Sequence, residues 1–319
     1  MEQTFLITLS AVIVMLVYAL PGYLLVKGKK MGESSIPAFV TLLLYICQPC
    51  LTVNSFQEAS KVIHKGSITL AEMALMGGVF LLLSLLLQGA FLGLFYLIFR
   101  KKQEQVEYRI FVIASALGNC GFFGIPMLTA VLPDHPEAAM FSAVNSLVMN
   151  ALCWTVASAI ITRDRRHMSL KRILLNPNTI SALVALPLFF TDTVLPEQVG
   201  DMVLLLAKFS SPLCMMILGM RLATVSVPGL FGRAGQYLMV GVKNVVFPLF
   251  AFAILYFLPV ASLVKQVMLI LCCCPVANVV LSFSEMLGQG QKTAANVVIL
   301  STLGCLLSLP ALCLLLPLL

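Results

Sequence analysis

Ten apolar stretches, most of them about twenty residues long, follow one another along this chain with only short polar connections between them. No soluble core could bury that much apolar chain. Sixty per cent of the residues are hydrophobic, ten per cent are charged and the mean hydropathy is +1.03, against roughly a quarter charged residues in soluble domains. In lipid the backbone must satisfy its own hydrogen bonds, which a helix does within one segment. The pattern therefore predicts an all-α polytopic membrane protein with ten transmembrane helices.

The expected spans are residues 5–26, 36–56, 70–99, 110–132, 138–161, 177–190, 199–222, 237–258, 267–287 and 294–316. Asn176-Pro177 reads as an N-cap followed by proline in the first turn of the sixth. Residues 5–26 are too long for a signal-peptide core and lack a small-residue cleavage site, so they read as a retained first helix.

The net charge of +7 is a topology signal, because the basic residues sit in loops. They cluster at Lys27–Lys30, Arg100–Lys102 with Arg109, Arg163 to Arg172 (including Arg165), then Arg221, Arg233 and Lys292, all after odd-numbered spans. Only Lys61, Lys65 and Lys265 fall in connections on the other side. The positive-inside rule makes the first set cytoplasmic and leaves both termini outside. Five spans per half, residues 1–172 and 173–319, then run in opposite directions, as an inverted repeat requires.

Two spans are interrupted. The fourth reads Gly118-Asn119-Cys120-Gly121-Phe122-Phe123-Gly124-Ile125-Pro126 at its centre, and the ninth reads Cys272-Cys273-Cys274-Pro275-Val276-Ala277-Asn278, running on to Ser282 and Ser284. Glycine and proline break helices, and a break at membrane depth frees backbone groups that must be buried in protein or line a polar cavity. One broken span in each half is the pattern of a transporter with its site at the two breaks. Half-helices starting near Gly121 and Asn278 would aim N–H groups and positive dipole ends at that site, which favours an anion such as a carboxylate. Asn119 and Asn278 add uncharged donors; the bland alternative is that they only tie down freed backbone.

Lys243 is the most unusual single residue, about ten residues from Arg233 and hence roughly 15 Å deep. Its ammonium needs partners there, either carbonyls and Asn side chains at the breaks or the substrate anion. Lys208 is shallower and reads as structural, snorkelling or pairing with Asp201. Glu72, at the start of the third span, reads from the residues alone as a solvated helix-start carboxylate favoured by the dipole. Glu285 is expected to face headgroups, and Gln48, Asn145 and Asn150 to bond between helices.

The ten cysteines all lie in expected spans and read as small apolar side chains with free thiols, including Cys47-Gln48-Pro49-Cys50 and the run 272–274. His64, His135 and His167 all fall in loops, so no metal constellation is expected. No cofactor, nucleotide-binding loop or nucleic-acid face is implied. An intramembrane enzyme would need a nucleophile with a base, or a metal cluster, and neither is legible. A channel would need a continuous polar stripe rather than two breaks and two lysines.

The string from Gly118 to Leu128, the later Pro275-Val276-Ala277-Asn278 and the Lys243–Pro248 segment resemble the auxin efflux carrier family, which includes malate and malonate permease-like proteins and plant PIN carriers. The resemblance covers essentially the whole chain. It implies elevator-type transport of a small organic anion, a mono- or dicarboxylate, across the cytoplasmic membrane. Spans 1, 2, 6 and 7 would form a scaffold and a homodimer interface; spans 3–5 and 8–10 would form the mobile transport domain. Asn119, Cys120, Gly121, Pro126, Pro275, Asn278 and Lys243 would surround the substrate, with Glu72 in support and with proton or sodium as the coupling ion. Plant carriers place proline where this chain has Gly118, and they have a long central loop where it has only residues 162–175. Sodium-coupled bile-acid-type symporters, or a membrane sensor built on a transporter fold, are the alternatives.

Overall fold

The computed structural model describes residues 2–319 except 165, 167, 226–229, 231–233 and 287, together with the side chain of 286. Arg165, His167, Pro228, Gly229, Arg233 and the expected end of the ninth span at Leu287 lie outside the described residues. Among the described residues, seven helices are long and apolar enough to cross a membrane: α1 (Glu2–Lys27), α2 (Glu33–His64), α3 (Leu70–Ile98), α6 (Ala138–Thr162), α8 (Glu197–Thr224), α9 (Ala234–Phe257) and α12 (Gln291–Leu318). Three shorter apolar helices are α5 (Cys120–Val131), α7 (Pro177–Phe190) and α10 (Ser262–Cys273). Two more short helices, α4 (Val106–Ala114) and α11 (Asn278–Met286), precede and follow the two breaks.

Several boundaries differ from those expected. α2 runs on to His64, so Glu58 and Lys61 lie on its last turns as an i,i+3 pair at 2.8 Å and not in a loop. The apolar run ends at residue 56, but nothing there breaks the helix. Arg109 lies inside α4, 6% exposed, where it donates to the Ile161 carbonyl and to Gln289 Oε1 at 3.3 Å. It is a packed residue and not a loop charge. The Asn176 cap forms as expected, its side chain accepting from Asn178 N at 3.0 Å.

Prolines shape the membrane helices locally. Pro49, Pro126 and Pro248 each follow a single wide π turn, at Leu43–Cys47, Cys120–Gly124 and Val242–Val246. A proline lacks the N–H that would bond the carbonyl four residues earlier and its ring crowds that carbonyl, so the turn widens. For Pro126 the freed carbonyl is that of Phe122, and Ser211 Oγ on α8 donates to it at 2.5 Å.

α8 is the central packing partner. It lies against the second half of α1 and against α2, on which α7 also packs. Where α1 and α8 cross, a Cβ added at Gly22 would stand 2.0 Å from the Met216 carbonyl oxygen, and one at Gly219 would stand 1.9 Å from that of Ala19. Only glycine allows two backbones this close, the usual device for joining helices in lipid, where apolar burial gives no drive. α3 packs on α6, and α9 on α12. The outward surface is apolar, with Phe257 82% and Leu307 73% exposed, as a lipid-facing surface requires.

Candidate functional site

The two breaks meet. The chain unwinds between α4 and α5 at residues 115–119 and between α10 and α11 at residues 274–277. Gly118 and Val276 pair there as an antiparallel bridge. Asn119 N donates to the Pro275 carbonyl at 2.8 Å and Ala277 N to the Leu117 carbonyl at 2.9 Å. Neighbouring hydroxyls take up further backbone groups: Ser142 Oγ donates to the Cys120 carbonyl at 2.7 Å, and Val276 N donates to Ser301 Oγ at 3.0 Å. Backbone exposed by two breaks is thus satisfied by crossing them, the condition for irregular chain at membrane depth.

Lys243 stands behind this crossing. It is fully buried, donates to the Cys272 carbonyl at 2.8 Å and lies 4.8 Å from the Phe247 ring centroid. That carbonyl belongs to the last turn of α10, where carbonyls lack helical partners and the dipole is negative. A Cβ at residue 118 would lie 3.3 Å from the Lys243 ammonium and 3.4 Å from the Leu271 and Cys274 carbonyl oxygens. Gly118 leaves room where the ammonium, the end of α10 and the other break converge. Lys243 does not line the cavity described next.

That cavity, about 290 Å³, lies in front of the crossing. Its polar wall includes Gln48, Asn119, Gly121, Ser146, Asn150, Asn176, Asn178, Asn278 and Ser282, and its apolar wall includes Leu43, Tyr45, Phe122, Trp154, Ile217 and Phe283. Among the described residues its one charged lining side chain is Arg221, and no carboxylate lines it. The Trp154 and Phe283 rings pack with centroids 4.8 Å apart and planes tilted by 55°, and the Arg172 guanidinium lies 5.2 Å from the Trp154 ring. The first-turn N–H groups of α5, at Gly121 and Phe122, follow the unwound stretch and have no carbonyl one turn earlier.

Of the predicted residues, Asn119, Gly121 and Asn278 share the cavity wall. Both asparagine amides turn to one thiol on α8: Cys214 Sγ lies 3.1 Å from Asn278 Nδ2 and 3.8 Å from Asn119 Nδ2. Cys120 is buried behind the wall, 3.4 Å from Ser146 Oγ, and Pro275 contributes its carbonyl to the crossing. Pro126 lines a second, larger cavity of about 930 Å³, together with Asn54, Glu58 and Lys208. Glu72 lines neither cavity; it closes a capping box with Thr69, accepting from its N–H at 2.9 Å and donating its own N–H to Thr69 Oγ1 at 3.2 Å. Lys208 and Asp201 are both exposed and form no ion pair with each other; Lys208 lines the second cavity instead.

Glu285, expected near the cytoplasmic end of the ninth span, is exposed there and pairs with Arg221 across α11 and α8. Asn145 accepts from Ser84 at 2.5 Å and from Gln88 at 3.0 Å, joining α3 to α6, while Asn150 and Gln48 reach Thr179 and Asn178 on α7. Sequence reasoning missed Arg221, Cys214 and the Trp154–Phe283 contact, since Arg221, Cys214 and Trp154 are distant in the chain from either break and Phe283 reads as one more apolar residue of the ninth span.

The description of the family whose pattern matches this chain is "membrane transport protein", and the match covers residues 7–170 and 161–313. A comparison with curated proteins gives no match. With nearly the whole length matched, the chain belongs to the auxin efflux carrier family of membrane transport proteins.

Proposed function

We propose that the chain is a secondary transporter moving a small organic anion, a mono- or dicarboxylate, across the cytoplasmic membrane by elevator-type alternating access. The observation that carries this reading is the charge of the cavity at the crossing. A guanidinium, several amides and the start of α5 face it, and no carboxylate among the described residues does. Such a wall stabilises an anion through donors that are mostly uncharged, so the anion can also leave.

In this reading α4 with α5 and α10 with α11 count as one broken span each, giving ten spans in two inverted halves, 1–172 and 173–319, with both termini outside. α1, α2, α7 and α8 form a scaffold through which a homodimer assembles; α3–α6 and α9–α12 carry the site. The extensive packing of α8 on α1 and α2, and of α7 on α2, supports that division. The first cavity is lined from the ends nearest the basic loops, by Asn176, Arg221 and Phe283, and the second from the opposite ends, by Pro133, His135 and Lys208. This fits a cytoplasm-facing state with the route to the other side blocked near Phe122 and Ser211. Lys243 supplies a resident positive charge at the crossing, so sodium is not needed there, and a proton is the coupling ion this favours.

The test is uptake of radiolabelled malate and malonate into proteoliposomes under imposed pH or sodium gradients, for wild type and Asn119→Ala. Saturable wild-type uptake lost in the folded variant supports the reading. Equal uptake by both removes the crossing as its site.

A further inference from the structure

The charged side chain on the cavity wall already holds an anion. Arg221, near the end of α8, meets Glu285, in the last turns of α11, through both terminal guanidinium nitrogens and both carboxylate oxygens; Nη2 donates to Oε2 at 3.1 Å and Nη1 to Oε1. The arrangement is the fork-to-fork geometry with which arginine recognises any carboxylate. The two sides of the pair are unlike. Arg221 lines the cavity and its side chain is 15% exposed, whereas Glu285 is not a lining residue and its side chain is 41% exposed.

We propose that Glu285 is an internal place-holder for the substrate's carboxylate: it occupies Arg221 in the empty cavity and yields the guanidinium to an entering anion. The proposal rests on the organic-anion reading above and deepens it. Three observations carry it. First, the Glu285 side chain is itself 41% exposed, so it can leave for water at little cost, which a fully buried partner could not do. Second, Asn278 precedes Glu285 by seven residues on α11, two turns or about 10 Å. Arg221 and the crossing amides thus form two polar ends of one cavity, with Trp154 and Phe283 on the wall between them. Third, the pair ties α8 to α11, one from each of the two proposed groups of helices. An anion that displaces Glu285 therefore also releases this tie, so that loading the site and freeing the mobile group become one event.

Competition of this kind has a measurable sign. If Glu285 holds Arg221 for nine-tenths of the time, the apparent affinity for an anion is about tenfold weaker than the cavity's own. The experiment is equilibrium binding of radiolabelled malonate and phenylacetate to the purified full-length protein, for wild type, Glu285→Gln, Arg221→Gln and the exchanged pair Arg221→Glu with Glu285→Arg. Thermal melting is followed in parallel. The expected result is tighter binding in Glu285→Gln, by up to about tenfold. Arg221→Gln should bind about tenfold more weakly or worse. The exchanged pair should melt like wild type and still bind neither probe, because its carboxylate now faces the cavity. The proposal is overturned if Glu285→Gln binds no more tightly than wild type, or if the exchanged pair recovers wild-type affinity, since either makes the pair a structural tie alone. Failure of wild type and Glu285→Gln alike to bind either probe would instead refute the organic-anion reading, and the place-holder with it.

Discussion

Replacing Lys243 by methionine tests what its buried ammonium does. Methionine keeps the length and apolar stem but cannot donate. The charge-assisted hydrogen bond to the Cys272 carbonyl, 2.8 Å long, is lost, at about 1.5–3 kcal/mol. So is the contact with the Phe247 ring at 4.8 Å, about 2 kcal/mol for a desolvated pair. Against this, the variant no longer holds an ammonium away from water, a penalty of several kcal/mol that the fold now bears, and the thioether recovers part of the ring contact. If the end of α10 needs the charge, the losses win by a net of about 1–3 kcal/mol. Lys243→Met should then unfold at lower temperature or shorter exposure to denaturing detergent than wild type, whether or not an anion is present. A variant that melts at or above the wild-type temperature but no longer binds anions would refute this reasoning and make the ammonium a substrate ligand.

Other consequences can be checked with the same preparations. Lys243→Ala should be partly restored by added ethylammonium, seen as a rise in melting temperature that choline does not give, while wild-type uptake should not change when sodium replaces potassium. Gly219→Ala puts a Cβ 1.9 Å from the Ala19 carbonyl oxygen, so α1 and α8 must separate; a loss of about 1–3 kcal/mol or more is expected, and an unchanged melting curve would contradict the close crossing. Asn278→Ala gives up a weak thiol contact at 3.1 Å among the described residues and should melt within a few degrees of wild type, yet reduce uptake by about tenfold or more.

The broken spans were legible because glycine, asparagine and proline are costly inside a continuous apolar helix, and the Asn176-Pro177 cap was legible because a cap is equally local. What joins the breaks was not. The Gly118–Val276 bridge links residues 158 positions apart, and no local pattern encodes a partner that far away. Lys243 was recognisable as a buried charge from its neighbours alone, but its choice of the α10 carbonyls over the cavity depended on packing. Arg221 and Glu285 each read as an ordinary charge near the end of a span. Only the fold brings them together and turns one of them into part of a cavity wall. Pro126 sits in the signature string, yet its effect is felt at the Phe122 carbonyl, which it frees for Ser211, and it lines the second cavity, a placement that the string alone does not encode.

Trp154 is the single tryptophan of the chain and lines the cavity against Phe283, so its fluorescence reports on that space directly. The central claim is that an organic anion binds there. Titrating purified protein with malonate and with phenylacetate should give a saturable change in Trp154 emission with at least one of them, lost in Asn119→Ala although the variant stays folded. Transport of either anion with no change in emission, or an unaltered titration in Asn119→Ala, would contradict it.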